Sequence, residues 1–516
     1  MPSPSVARRG PLVLGAVLSL LLLALGAPGV AAAASPSSAT ASGLVWPTAS
    51  WRIQSDGNVY ESSPTTARVN NTEVVAVGTE TGEVELLNAA TGAELPGWPR
   101  QVAHAPGQPA AIESSPTIAD LDGPGAAPSI IVGTGSTAVD HGHSVGEVEA
   151  FTLSGRVRFV FRVGSQPNTA NGVISSPAVG DITGNGRSDI VFGSWDHNLY
   201  ALTPSGKLVP GFPYNNKDTV WSSPALAHVR GPAGQDDIFI GSDASGSNRC
   251  FGGFISDFTY QKGAPRVVWQ HCEPQTIWSS PAIGVLNASG RKAVVVGTGF
   301  GETTYLPGTA DIYAYYADNG ATVPGWPVRT AGPTPGSPAI GIGPNGKAMV
   351  AATSWNCDGT NEKSCFYSNS SLVEAWSGSG TLLSKTPLSG ATALGSPVLV
   401  PLLGESSDDI LVGAAAGLYA IATTPNENGG DPFLFGLSKV LPIFNQCSIA
   451  NSPALADLPG PSSSGGWHVI EACGGPASLH EPGEIASYRL PIQPRDVSGI
   501  WPMFHGGPSH LGVAGA

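Results

Sequence analysis

Eight times along the chain a small residue is followed by Ser-Pro and an apolar run, and no other feature limits the possible folds as strongly. The phrase stands at Ser62-Ser63-Pro64, Ser114-Ser115-Pro116, Ser175-Ser176-Pro177, Ser222-Ser223-Pro224 and Ser279-Ser280-Pro281, then in relaxed form at Gly336-Ser337-Pro338, Gly395-Ser396-Pro397 and Asn451-Ser452-Pro453. The intervals between successive prolines are 52, 61, 47, 57, 57, 59 and 56 residues. That is the length of one four-stranded sheet with its loops, so the chain reads as a radial array. Each unit must bury its apolar faces against its neighbours, so the 516 residues form one large domain rather than three or four small ones.

The third repeat shows the unit most clearly. Ser175 to Ile182, Asp189 to Gly193, Leu199 to Leu202 and Lys207 to Pro213 read as four strands, separated by Gly, Asn, Asp and Ser at the turns. The second strand recurs as an apolar, β-branched run at Val74 to Gly78, Ile130 to Gly133, Ile238 to Gly241, Val294 to Gly297, Met349 to Ala352, Ile410 to Gly413 and His468 to Ala472. Such runs suit strands buried on both faces. The third strand recurs from Val84 to Leu87 through Ile485 to Tyr488, with only the stretch around Phe254 to Phe258 straining the pattern. The fold class is therefore all-β, a propeller of eight four-stranded antiparallel blades, with seven blades as the alternative. Charged residues make up 12% of the chain while Gly (68) and Pro (46) are abundant, which favours strands and tight turns over amphipathic helices.

An aromatic-Pro pair marks the outer strands at Trp98-Pro99, Phe212-Pro213, Trp326-Pro327 and Trp501-Pro502, and Trp46-Pro47 precedes the first repeat. Proline cannot donate to a ladder and is tolerated at a sheet edge. One of the two terminal copies is expected to complete the last blade and close the ring; the residues do not say which.

The run Ser175 to Gly193 with its Pro-Gly-Phe-Pro outer strand resembles the FG-GAP and VCBS repeats of integrin-α-like propellers. The terminal segment Trp501 to Gly507 resembles one common in those and in PQQ-like propellers. The likeness spans Trp46 to Leu511. It implies a calcium loop between first and second strands, held here by Asp181, Thr183, Asn185, the Arg187 carbonyl and Asp189, with Gly186 at the sharp turn. Only two of these ligands are charged, so calcium as cofactor is expected to bind modestly, and the competing structure is a turn in which Asp181 and Asn185 cap their own backbone. Asp120, Asp122, Asp237 and Asp409 keep fragments of the loop and read as strand-entry residues. His141-Gly142-His143 reads as a polar loop rather than a metal site.

Residues 1–34 carry Arg8 and Arg9, an apolar core from Leu12 to Leu25, a Gly-Pro break and a closing Ala run, the order of a Sec-type secretory leader. The apolar core of 14 residues is short for a membrane span, which needs about 20. The expected organisation is a leader over 1–34, a linker over 35–45, the propeller over 46–511 and a tail over 512–516, giving a secreted monomer with no membrane span after cleavage. Six cysteines in an exported chain predict disulfides, and pairing within repeats gives Cys250–Cys272, Cys357–Cys365 and Cys447–Cys473. The formal charge of −14, with no basic run, excludes nucleic acid as a partner.

No vicinal Cys pair, Cys-x-x-Cys-His, G-x-S-x-G, H-E-x-x-H or Gly-rich phosphate loop is present. The chain therefore reads as a non-catalytic binding or scaffold propeller whose partner is a protein or a glycan. A quinone-dependent or carbohydrate-active propeller enzyme is the alternative. The long insertions Thr134 to Gly146, Ser242 to Gly253 and Trp355 to Ser371 are expected to mark the contact face.

Overall fold

A computed structural model describes residues 48–103, 111–135, 146–164, 171–230, 234–244, 250–299, 311–356, 370–389, 393–402, 407–414, 417–423, 449–459, 466–474, 483–490 and 501–514. The chain is an eight-bladed β-propeller, and the only helical pieces among the described residues are two 3-10 turns at Pro344–Gly346 and Phe504–Gly506.

The first strand, β1 (Ala49–Gln54), is reserved for the last blade, and each following blade is a meander numbered outward from the axis. Blade one holds β2 (Thr65–Val69), β3 (Thr72–Gly78), β4 (Glu83–Asn88) and β5 (Arg100–Gln101); blade two holds β6 (Thr117–Ala119), β7 (Ser129–Gly133), β8 (Glu147–Thr152) and β9 (Val157–Arg162). Blade three holds β10 (Ala178–Gly180), β11 (Asp189–Gly193), β12 (Asn198–Leu202) and β13 (Tyr214–Asn215), and blade four β14 (Ala225–Ala227), β15 (Asp237–Asp243), β16 (Gly253–Gln261) and β17 (Ala264–Glu273). Blades five and six run from β18 (Ala282–Val285), β19 (Lys292–Gly297), β20 (Asp311–Tyr316) and β21 (Val328–Arg329) to β22 (Ala339–Ile342), β23 (Ala348–Trp355), β24 (Ser370–Ser377) and β25 (Leu382–Ser389). Blade seven shows β26 (Val398–Val400), β27 (Asp409–Ala414) and β28 (Gly417–Ile421), and blade eight β29 (Ala454–Leu458), β30 (Gly466–Cys473) and β31 (Glu484–Arg489).

The Ser-Pro phrase owes its periodicity to a closed belt of hydrogen bonds. The backbone N–H of the serine before each proline donates to the Oγ of its counterpart in the next blade: Ser63 to Ser115, Ser115 to Ser176, Ser176 to Ser223, Ser223 to Ser280, Ser280 to Ser337, Ser337 to Ser396, Ser396 to Ser452 and Ser452 back to Ser63, all at 2.8–3.1 Å. Every donor is buried, so each Oγ meets an obligation that water cannot. The preceding serine works within its own blade. Ser62, Ser114, Ser175, Ser222 and Ser279 each accept from the N–H of a glycine at or near the end of the second strand. In these blades the glycine makes room for the next blade, which packs directly on it: a Cβ on Gly193 would collide with Val220, and one on Gly78 with Ile112.

The core is distributed between blades. Ile131, Val148 and Ala150 of blade two pack with Val179, Ile190, Phe192 and Tyr200 of blade three, and the other interfaces repeat the arrangement. Such layers explain why the second strands read as unbroken apolar runs.

Closure falls to the strand that follows Trp46-Pro47, a pair outside the described residues. β1 pairs antiparallel with β31, so a strand from the beginning of the chain completes a blade built from its end. Trp98-Pro99, Phe212-Pro213 and Trp326-Pro327 stand immediately before the outermost strands β5, β13 and β21, but Trp501-Pro502 does not belong to an outer strand. Trp501 pairs with Leu399 of the innermost strand β26, and from there the C-terminal segment circles the inside of the ring. Its carbonyls accept from the N–H of Leu399, Leu455, Ile118, Val179, Leu226 and Ile283, in each case the second residue after the Ser-Pro proline. An innermost strand otherwise leaves these donors unpaired at the channel wall. Hydrogen bonding reaches Ala514, and the central channel is lined by this segment rather than by the inner strands alone.

Candidate binding face

The first strand of each blade starts at the Ser-Pro phrase and the second runs back antiparallel, so every connection from second to third strand leaves on the Ser-Pro face. All three long insertions are such connections. Much of each lies outside the described residues, as do Cys357, Cys365, Cys447, His141 and His143. The insertion of blade four is anchored by the Cys250–Cys272 disulfide expected from the sequence, and it presents Phe251 with 90% of its surface exposed. Cys473 is disulfide-bonded, while the expected Cys357–Cys365 and Cys447–Cys473 pairs include positions outside the described residues.

The residue immediately before the two-residue Ser-Ser, Gly-Ser or Asn-Ser unit lies at the mouth of the ring. Round the eight repeats it reads Glu61, Glu113, Ile174, Trp221, Trp278, Pro335, Leu394 and Ala450. It varies while its neighbours stay fixed, which is how a repeat scaffold carries a site. Sequence reasoning passed over it, although the repeat register alone could have exposed it.

One sector of the mouth is aromatic. Trp221 and Trp278, half-buried, stack with ring centroids 4.0 Å apart and planes 2° from parallel, and Trp195, which follows β11, packs on Trp221 at 4.5 Å. Carboxylates hold the row in place. Trp278 Nε1 donates to Asp243 at 2.9 Å, Thr219 Oγ1 donates to the same carboxylate, and Tyr200 donates to Asp196. Burial and the Asp196 partner push the Tyr200 hydroxyl above its ordinary range, so it stays a donor.

The adjoining sector is acidic. Burial, then the neighbouring Glu113 carboxylate, push Glu61 well above the usual carboxylate range, and burial with Glu61, Glu113 and Glu80 raises Tyr60. Two carboxyls that share one mouth in this way resist losing both protons.

The loop expected to hold calcium lies on the opposite face. Asp181 accepts from the backbone N–H groups of Gly184 (2.7 Å), Asn185 (3.1 Å) and Gly186 (2.6 Å); Asn185 Oδ1 accepts from Arg187 N–H; and Asp189 Oδ2 accepts from the N–H and hydroxyl of Thr183. Burial raises Asp189 to about 6. The five residues do come together, but their side-chain oxygens face the loop's own donors, which is the self-capped turn. Among the described residues no three His, Cys, Asp or Glu side chains form a metal-holding group. Beside this loop, Asp122, Arg158, Arg187, Thr203 and Lys207 border an open cleft of about 540 Å³, in which Asp122 is taken up by a two-pronged bond with Arg158. Asp120 accepts from Gly125 N–H and Asp237 pairs with Arg230, as strand-entry residues do.

No protein-family model matches the chain, and no curated protein matches it. Solved structures do. The Dos1 propeller aligns with TM-score 0.51 at 12% identity, covering 86% of this chain and 95% of its own. The C-terminal WD40 domain of Sif2 aligns with TM-score 0.50 at 14% identity over 86% and 99%, and Saccharomyces cerevisiae Sqt1 with TM-score 0.50 at 10% over 86% and 98%. At these identities the likeness is one of fold.

Proposed function

We propose that the chain is an exported, non-catalytic propeller that binds a partner on its Ser-Pro face. The observation that carries this reading is the row of Trp195, Trp221 and Trp278, the last two stacked and the first tilted against them, on the face from which the three long insertions also leave. Aromatic side chains held in place by polar neighbours are what binding surfaces are made of. The leader-like order of residues 1–34 supports export, and the Ser175 to Gly193 pattern supports a place among FG-GAP-type repeats. The test presents the chain from Trp46 onward to arrays of defined glycans and peptides. Binding lost on Trp221→Ser with Trp278→Ser but kept on Lys207→Ala supports the assignment; the reverse pattern moves the site to the opposite face.

A second reading, a carbohydrate-active enzyme, is favoured by the Glu61 and Glu113 pair, since a buried carboxyl raised beside a second carboxylate suits acid-base work on a glycosidic bond. Polysaccharide turnover abolished by Glu113→Gln would establish it. Calcium at the Asp181 loop is a separate proposal, supported by five oxygen-bearing residues at alternate positions. A melting temperature several degrees higher in millimolar calcium than in chelator supports it, and superimposable melts remove it.

A further inference from the structure

Three cations meet in the open cleft of about 540 Å³ on the face opposite the Ser-Pro mouth. Arg158 comes from β9 of blade two, Arg187 from the loop between β10 and β11 of blade three, and Lys207 from the turn after β12. The one carboxylate bordering the cleft, Asp122, is already occupied: both its oxygens accept from Arg158, which holds its carboxyl below the usual carboxylate range. A third bond, from Arg158 Nη1 to Ser129 Oγ at 2.9 Å, fixes the guanidinium and leaves the Nε hydrogen and one on Nη2 uncommitted among the described residues. Arg187 and Lys207 are exposed, and neither side chain has an ion pair or hydrogen bond among the described residues. The turn that carries Lys207 is held in place. Thr203 N–H donates to the Lys207 carbonyl at 2.7 Å, and Gly206, at φ 75°, lies so close over Phe159 that a Cβ would stand 2.4 Å from the ring. The same bond in other blades puts Ala93, Arg156, Ala321 and Thr381 where Lys207 stands, so the turn is common to the repeats and its charge is not. Thr203 Oγ1 and Ser205 Oγ, 3.1 Å apart, share one hydrogen bond, and whichever accepts it keeps a proton with no acceptor among the described residues.

We propose that this cleft is an anion site, taking a compact ligand that bears one phosphate or sulfate group. The site lies on the other face from the tryptophan row and stands or falls independently of binding there. A tetrahedral oxyanion offers several acceptor oxygens, and the cleft offers what they need: guanidinium hydrogens from Arg158 and Arg187, the ammonium of Lys207 and one hydroxyl proton. Its negative charge offsets the excess of three cations over one carboxylate. Charge also limits its size. The chain carries a formal −14, so the basic surface is local and an extended polyanion meets repulsion once it leaves the cleft. Pro204 and Phe159 give the cleft an apolar border, beside which the organic part of an ester can lie.

The test titrates the full chain by calorimetry with inorganic phosphate, inorganic sulfate and glycerol phosphate, with glycerol as the uncharged control. Chelator is present throughout, so that calcium at the Asp181 loop does not enter. Saturable binding of one anion per chain is expected, weakened about tenfold or more by Arg187→Ala with Lys207→Ala and by about 0.5 M sodium chloride, and kept within about threefold by Lys207→Arg. Glycerol phosphate binding more tightly than either free ion makes the ligand an ester, and equal affinities make it the free ion; both outcomes keep the site. A heparin tetrasaccharide is expected to gain less than about tenfold over glycerol phosphate, and a larger gain overturns the compact ligand. If no anion saturates by about 20 mM, if the correctly folded Arg187→Ala, Lys207→Ala chain binds as tightly as its parent, or if glycerol binds as well as glycerol phosphate, the anion site is overturned. Trp221→Ser with Trp278→Ser is expected to leave the anion titration unchanged, so failure of this site and failure of the Ser-Pro face are read separately.

Discussion

Replacing Ser176 by alanine tests the belt that gives the chain its periodicity. Ser176 Oγ accepts the N–H of Ser115 at 2.8 Å, and both residues are 3% exposed. Alanine removes the acceptor and leaves the Ser115 N–H enclosed, a loss of about 1 to 3 kcal/mol, with the missing oxygen adding little because its volume is small. The Ser176 N–H still donates to Ser223, so only one of the eight links is cut. Within the repeats the first serine gives way to Gly336, Gly395 and Asn451, whereas the second is serine in all eight, which ranks the belt above the within-blade bond. The assay is the denaturant midpoint at unchanged slope, compared with exposed Ser205→Ala. A Ser176→Ala loss below about 0.5 kcal/mol, or one equal to that of Ser205→Ala, refutes the idea that the belt locks neighbouring blades.

Removing residues 501–516 uncovers six inner-strand N–H groups and takes away buried Trp501 and Met503, on the order of 10 kcal/mol in all. That rivals the whole stability of a domain, so small-angle scattering should show an expanded or aggregated chain; a compact monomer contradicts this. Burial holds His505 at about 4 and His510 at about 3, so the folded segment binds fewer protons than the unfolded one. Its stability is complete above about pH 6.5 and drains as pH falls toward 4. Amide exchange over residues 505–512 should therefore lose protection between pH 7 and 4.5, and constant protection refutes it. The opposite sign applies to Asp257, which burial raises to about 8, and to Glu85, raised to about 7: their contribution is present at low pH and is lost as pH climbs through those values. Cys250→Ala with Cys272→Ala opens a link across 22 residues and should cost about 3 kcal/mol, read as a midpoint lower than that of the unaltered chain without reductant; an unchanged midpoint refutes it.

The blade count was legible because it is written locally. Each repeat carries its own serine belt residue and its own apolar second strand, and six of the eight carry a glycine under the next blade, with Thr353 and Ala472 in its place in blades six and eight, so β11 falls at Asp189–Gly193 as its pattern says. The outer edge was less so. Lys207 to Pro213 supplies only a bridge from Leu208 to Leu202 before the short β13, since an edge strand exposed to water is under little compositional pressure. The calcium-loop residues were found together, but which way their oxygens turn depends on backbone N–H groups that no residue pattern displays.

What the sequence determined by itself was eight antiparallel sheets arranged about an axis and one disulfide between close neighbours. Only the tertiary structure decided that β1 closes the last blade while Trp501 to Ala514 lines the axis, because two similar Trp-Pro segments compete for one open edge and the winner is set by contacts hundreds of residues apart. The tryptophan row has the same origin. Trp195, Trp221 and Trp278 stand in three successive repeats, and it is the packing of blade against blade that turns those separations into ring contacts at 4.0–4.5 Å.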